Sequence, residues 1–134
     1  LRRDLSTARP ALVVVSAGML PRQGAQSPQA AVLAAQALGV DLTRHRSEYV
    51  SDEVAERATL IVAFDRRNID DLRARNPALL AKTVMLGSFL DGPHRHPEIR
   101  DPDGADIATF ERIYATIEAG ARRLATVINA SRAG

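Results

Sequence analysis

Thr59-Leu60-Ile61-Val62-Ala63-Phe64 (TLIVAF), running directly into Asp65, is the stretch that decides the fold. An unbroken apolar and β-branched run with no polar alternation reads as a strand buried on both faces, as in a parallel sheet covered by helices. Asp65 then suits the N-cap of a helix whose Ile69 and Leu72 face inward, while Arg66, Arg67, Asp70, Asp71 and Arg73 stay wet. Thr83–Leu86 (TVML) supplies the next strand. Upstream, Ala11–Ser16 (ALVVVS), bounded by Pro10 and Ala17-Gly18, reads as another buried strand. Ser27 at the N-cap and Pro28 at the first helical position start an Ala-rich helix that runs to Leu38, with Gly39 as its stop. Val40–Val50 is irregular, and Ser51-Asp52-Glu53 opens a short helix.

Downstream, Gly87–Ala105 is a long loop rich in proline and glycine, and Asp106 caps the last helix. There Ile107, Phe110, Ile113, Ile117, Leu124 and Ile128 recur at helical spacing over ~37 Å. Strands alternating with helices predict one α/β domain over residues 1–134, a three-layer open parallel sheet. In such folds the ligand sits beyond the carboxyl ends of the strands, so the loop from Gly87 lies at the functional edge.

Composition narrows the function. The 134 residues are 46% hydrophobic and 25% charged, which suits a soluble domain able to bury ~68% of its surface without metal or disulfide. There is no cysteine, so neither a disulfide nor a thiolate can form within the chain, a composition that fits a reducing, cytoplasmic setting. The net charge is +2 with both signs interleaved, and aromatics reach 4% without tryptophan, which argues against a nucleic-acid partner. No run approaches the ~20 apolar residues of a membrane span. His94 and His96 lack the companions of a metal site, so no metal or cofactor is expected. The chain starts at Leu1, and Leu1-Arg2-Arg3-Asp4-Leu5 reads as a helix end, so a first part is expected that these residues do not represent.

Several patches then fall in a recognisable order. They are Val14-Val15-Ser16-Ala17-Gly18 with Gly24 and Ser27-Pro28, and Leu38-Gly39-Val40-Asp41-Leu42 with His45-Arg46-Ser47. Leu60–Asp65, Ile99-Arg100-Asp101-Pro102 and Phe110-Glu111-Arg112-Ile113-Tyr114 complete the set. In this order and spacing the chain resembles the low-molecular-weight protein tyrosine phosphatases. The resemblance implies a flavodoxin-like phosphatase layout whose first strand, with its phosphate loop, is missing here.

The family's chemistry implies a cysteine thiolate on a Cys-x5-Arg loop, attacking the phosphorus of an aryl phosphate, with the arginine clamping the oxygens. An aspartic acid on a distant loop protonates the leaving phenolate and then activates water. By this resemblance Asp101 is the general acid, Ser16 and His45 brace the phosphate loop, and Arg22 and Asp103 lie along the cleft. The plainer readings are a turn residue for Asp101, a strand end for Ser16, a loop histidine for His45 and a solvated cation for Arg22. Asp103 stands where the family has tyrosine, and Glu48 where it has arginine, so a phosphotyrosine preference is weakened.

The resemblance implies a phosphorylated protein or small aryl phosphate as partner. Without the loop the chain is expected to be inactive as given. The alternative is a non-catalytic pseudophosphatase acting as a binding or regulatory module. Removing a central strand would expose sheet edges, which offers a route to a homodimer.

Overall fold

Ile61–Ala63 forms β1 and Thr83–Met85 forms β2, and the two pair in parallel with Ile61 opposite Thr83, Val62 opposite Val84 and Ala63 opposite Met85. The computed structural model describes residues 12–20, 23–92 and 97–133. The readings of Leu1–Leu5, Arg22, His94 and His96 therefore lie outside the described residues.

Among the described residues four α-helices flank the sheet: α1 (Gln29–Ala37), α2 (Asp52–Arg57), α3 (Arg66–Arg75) and α4 (Ile107–Ala133). Alternation along β1 separates them into two layers. Ile61 packs with Ala55 of α2, Leu72 of α3 and Leu79, all buried. Its neighbour Val62 points the other way, into buried Leu86, Ile99 and Leu124, with Ile113 and Ile117 of α4 alongside. A third cluster, Ala31, Ala34 and Phe110, clamps α1 onto α4 on that second face. The layout is the expected three-layer α/β architecture with a parallel sheet.

Local signals set the element ends. Ser51 Oγ accepts from Val54 N at 3.1 Å and Asp65 Oδ1 from Asn68 N at 2.8 Å, capping α2 and α3. Asp106 does the same for α4, accepting from Thr109 N at 2.9 Å. Gly39 follows α1 with φ of 73°, a left-handed stop that a side chain would strain.

Four expectations change. Leu12–Ser16 forms no strand, and Val13 and Val15 are 89% and 62% exposed. Hydrophobicity permits a strand but only a ladder makes one, and among the described residues no ladder joins this segment to β1. Its continuation is instead held by a parallel bridge from Gly18 to Tyr49 and an antiparallel one from Gln26 to Arg46. Ser27 does not cap α1: Pro28 is extended and its own carbonyl takes Val32 N at 3.0 Å, so the helix starts one residue later. Ile107, in the first turn of α4, is 42% exposed, because the packed stripe begins at Phe110. Finally, the strand expected over Thr83–Leu86 ends at Met85 and the expected loop does not begin at Gly87, because Leu86–Phe89 winds into a 3-10 helix, as Pro77–Lys82 does before β2.

Candidate active site

A trench of about 730 Å³ runs between the Val15–Leu20 segment and β1, so it occupies the sheet plane beside the edge of β1 that β2 does not use. Its walls come from the two helix layers. Ala31, Phe110, Tyr114 and Ile117 line one side, and Val54, Ala55 and Leu72 the other. Where β1 ends, the lining turns polar, with Asp65, Asn68, Asp101 and Asp103 facing His45, Ser47 and Glu48 across the gap.

A knot of hydrogen bonds at Phe64 positions this end. Asn68 Oδ1 accepts from Phe64 N at 3.0 Å, while Asn68 N donates to Asp65 at 2.8 Å, a reciprocal cap at the start of α3. The loop after β2 is tied to the same turn: Ile99 N donates to Phe64 O at 2.7 Å, and Glu98 Oε1 accepts from Arg66 N at 2.7 Å. A carboxylate at a helix N-terminus is also favoured by the helix dipole. Two residues beyond this double anchor comes Asp101, exposed at the mouth, its Oδ1 accepting from Asp103 N at 3.0 Å across Pro102.

Tyr114 of α4 lies half-buried behind Asp101, its ring edge-on to Phe110 with centroids 5.8 Å apart. Burial chiefly, and the charge of Asp101 in addition, push its phenol above the ordinary value. On the facing side, Thr43 donates to Asp41 Oδ1 through its amide at 2.9 Å and its hydroxyl at 2.6 Å. These bonds hold the Asp41 carboxyl below its usual range, the hydroxyl first. The turn closes with His45 N donating to Leu42 O at 3.1 Å, which places His45 on the trench.

The family described as low molecular weight phosphotyrosine protein phosphatase matches residues 5–133. The chain belongs to that family. Wzb of Salmonella typhi, a low molecular weight protein-tyrosine-phosphatase, is 28% identical over 130 residues, 97% of this chain and 85% of that protein. The crystal structure of the Erwinia amylovora tyrosine phosphatase AmsI superposes with a TM-score of 0.80 at 25% identity, covering 94% of this chain and 81% of its own. The YwlE arginine phosphatase from Geobacillus stearothermophilus gives a TM-score of 0.80 at 25% identity, covering 98% and 84%.

In this phosphatase-family chain Asp101, Asp103 and His45 share one trench. Ser16 is exposed on the segment whose Val15, Ala17 and Gly18 line it. Sequence reasoning missed Glu98 and Asn68, and it named Tyr114 only within the Phe110–Tyr114 patch, with no place in the site. Only Asn68 carried a signal, since an amide three residues after a capping Asp is placed to close a reciprocal cap. No helix among the described residues is long and apolar enough to cross a membrane.

Proposed function

We propose that these residues carry the general-acid half of a phosphotyrosine phosphatase site, completed by a Cys-x5-Arg loop that the 134 residues do not contain. The observation that supports it is the position of Asp101 at the mouth of the trench, on a loop anchored to the end of β1. In the completed site the thiolate attacks phosphorus and forms an S–P bond. The P–O bond to the phenol breaks, and Asp101 gives its proton to the departing oxygen. The resulting carboxylate takes a proton from water as that water attacks phosphorus, and the S–P bond breaks to release phosphate and thiolate. His45 and Ser16 brace the loop by hydrogen bonds.

The test is a fusion placing a strand and Cys-x5-Arg loop ahead of these residues. It should hydrolyse a phosphotyrosine peptide in a vanadate-sensitive way, and Asp101→Asn should lower kcat by ~100- to 10,000-fold, because a phenolate leaving group of pKa ~10 needs the proton. A folded fusion in which Asp101→Asn turns over as fast as the parent refutes the assignment.

Asp103 favours a second reading of the substrate. A carboxylate at the mouth repels a bare aryl phosphate and welcomes a cation beside the phosphoryl group. The likeness to an arginine phosphatase supports phosphoarginine as such a substrate. In the fusion, Asp103→Tyr should then shift kcat/KM towards phosphotyrosine over phosphoarginine peptides. An unchanged ratio ends this reading.

A further inference from the structure

Tyr49 and Arg75 form a pair that lies outside the lining of the trench. Tyr49 is exposed, yet its hydroxyl does not stand in open water. Arg75 Nη2 donates to Tyr49 Oη at 2.6 Å, and the guanidinium carbon lies 4.9 Å from the ring centroid. The arginine is itself fixed, with a side chain only 16% exposed and Nη1 donating to Val50 O at 2.5 Å. Asp52 reaches it at 3.7 Å from an exposed position, so water screens that attraction. A shielded, weakly neutralised cation is thus already aimed at an exposed phenolic oxygen. A planar guanidinium in that place suits a phosphate ester better than a phenol, because parallel N–H donors and a full charge meet a dianion. The chain's other tyrosine is the opposite case. Tyr114 is half-buried against Phe110 and shares its surroundings with Asp101, which would repel an added phosphate.

We propose that Tyr49 is a phosphorylation site with Arg75 as its phosphate receiver, and that the modification tightens the wall bearing His45 and Glu48 onto α3. In the step, Tyr49 Oη attacks the γ-phosphorus of a nucleoside triphosphate on a tyrosine kinase. The Oη–P bond forms as the bond from that phosphorus to the bridging oxygen breaks, the phenol proton passes to the kinase's base, and nucleoside diphosphate leaves. Arg75 then spans the new phosphate and Val50 O. Glu48 and Val50 pair with Gly18, through Gly18 N to Glu48 O at 2.7 Å and Val50 N to Gly18 O at 3.0 Å, so the added tie reaches the Gly18 segment. Nothing in this pair depends on the role of Asp101.

The experiment incubates the folded chain with a soluble tyrosine-kinase domain, magnesium and ATP, beside a synthetic peptide of residues 44–54, and maps the modified sites by mass spectrometry. Tyr49 should take up phosphate, and Tyr114 should react at least ~10-fold more slowly because it must open locally first. Phosphorus NMR then follows the second ionisation of the phosphate. In the folded chain it should fall below the ~6 of an ordinary phosphotyrosine, because the guanidinium favours the dianion. It should return towards ~6 in the Arg75→Gln variant and in the urea-unfolded parent. The Tm of the parent should rise by a few degrees on modification.

A folded chain left unmodified under conditions that phosphorylate the peptide overturns the inference. So does a phosphate on Tyr49 that ionises as it does in the peptide, since Arg75 would then receive nothing. An unchanged or lowered Tm overturns the tightening of the wall. Where Arg75→Gln does not fold, the comparison of parent, peptide and urea-unfolded chain decides by itself.

Discussion

Asp65→Ala tests whether the Phe64 knot is held by the start of α3. Asp65 Oδ1 accepts from Asn68 N at 2.8 Å in a half-buried setting, and removing an N-cap of this kind costs ~1 kcal/mol within a range of about 0.5–2. Asparagine caps as well as aspartate, so Asp65→Asn should keep most of that stability. Glu98→Ala removes a different bond, to Arg66 N at 2.7 Å. Glu98 is exposed, so its share is about 0.5 kcal/mol after solvent screening. The two variants should separate in character. Asp65→Ala lowers the urea midpoint and brings Tm down by about 3–5 °C for a chain of this size. Glu98→Ala moves stability less but perturbs the amide shifts of residues 99–103, because it releases the loop bearing Asp101 from the start of α3. An Asp65→Ala variant within about 0.3 kcal/mol of the parent would refute the reasoning. So would an Asp65→Asn variant as unstable as the alanine form.

Arg75 donates to Val50 O at 2.5 Å and Tyr49 Oη at 2.6 Å, and its guanidinium lies 4.9 Å from the Tyr49 ring centroid. Arg75→Lys, which keeps the charge but not the planar fork, should still lose about 1–2 kcal/mol in chemical denaturation. A Cβ on Gly120 would sit 3.0 Å from Leu86 Cγ and 3.3 Å from Leu86 O. Gly120→Val should therefore cost ~1–3 kcal/mol by overpacking, whereas Gly120→Ala, gaining ~1 kcal/mol of helix propensity, should fall within about 1 kcal/mol of the parent. In a Tyr49→Phe background, phenolate absorbance should show Tyr114 titrating above ~10. Asp101→Asn should bring that titration down without restoring it fully, since burial is the larger cause. Because the folded value is raised, the Tyr114 contribution to stability is whole below the unfolded value near ~10 and fades as pH climbs through the folded one.

What could be read in the sequence was what acts over short distances along the chain. Ser51, Asp65 and Asp106 cap helices through N–H groups three residues on, and Gly39 stops α1 from the next position, so each signal and its consequence lie in one window. The centre of β1 was legible for a similar reason, since Ile61 and Val62 pack into opposite layers and leave an unbroken apolar run, although the strand is only Ile61–Ala63 and Leu60 and Phe64 beside it are 37% and 40% exposed. The 11–16 run carried the same signature, and its described part, Leu12–Ser16, formed no strand, because pairing depends on a neighbour that local composition does not specify. The anchors of the site were equally hidden. Glu98 reaches Arg66 across 32 positions, and Arg75 reaches Val50 across 25. Lys82 donates to Glu56 O and Ala58 O, both at 2.7 Å, closing the end of α2 from the far side of α3. A surface lysine and one that holds two carbonyls look alike in a sequence.

These connections also say which parts of the site move together. The loop bearing Asp101 is bonded to Phe64 O and Arg66 N, so it belongs mechanically to β1 and α3. His45 and Glu48 belong to the other wall, where Gly18 N donates to Glu48 O at 2.7 Å and Val50 N to Gly18 O at 3.0 Å. That second wall has its own link to α3 through Arg75, but at the helix's carboxyl end, far from the knot. Placement of Asp101 is thus a property of β1 and α3, while the opposing wall is held by its own pairing of Gly18 with Glu48 and Val50.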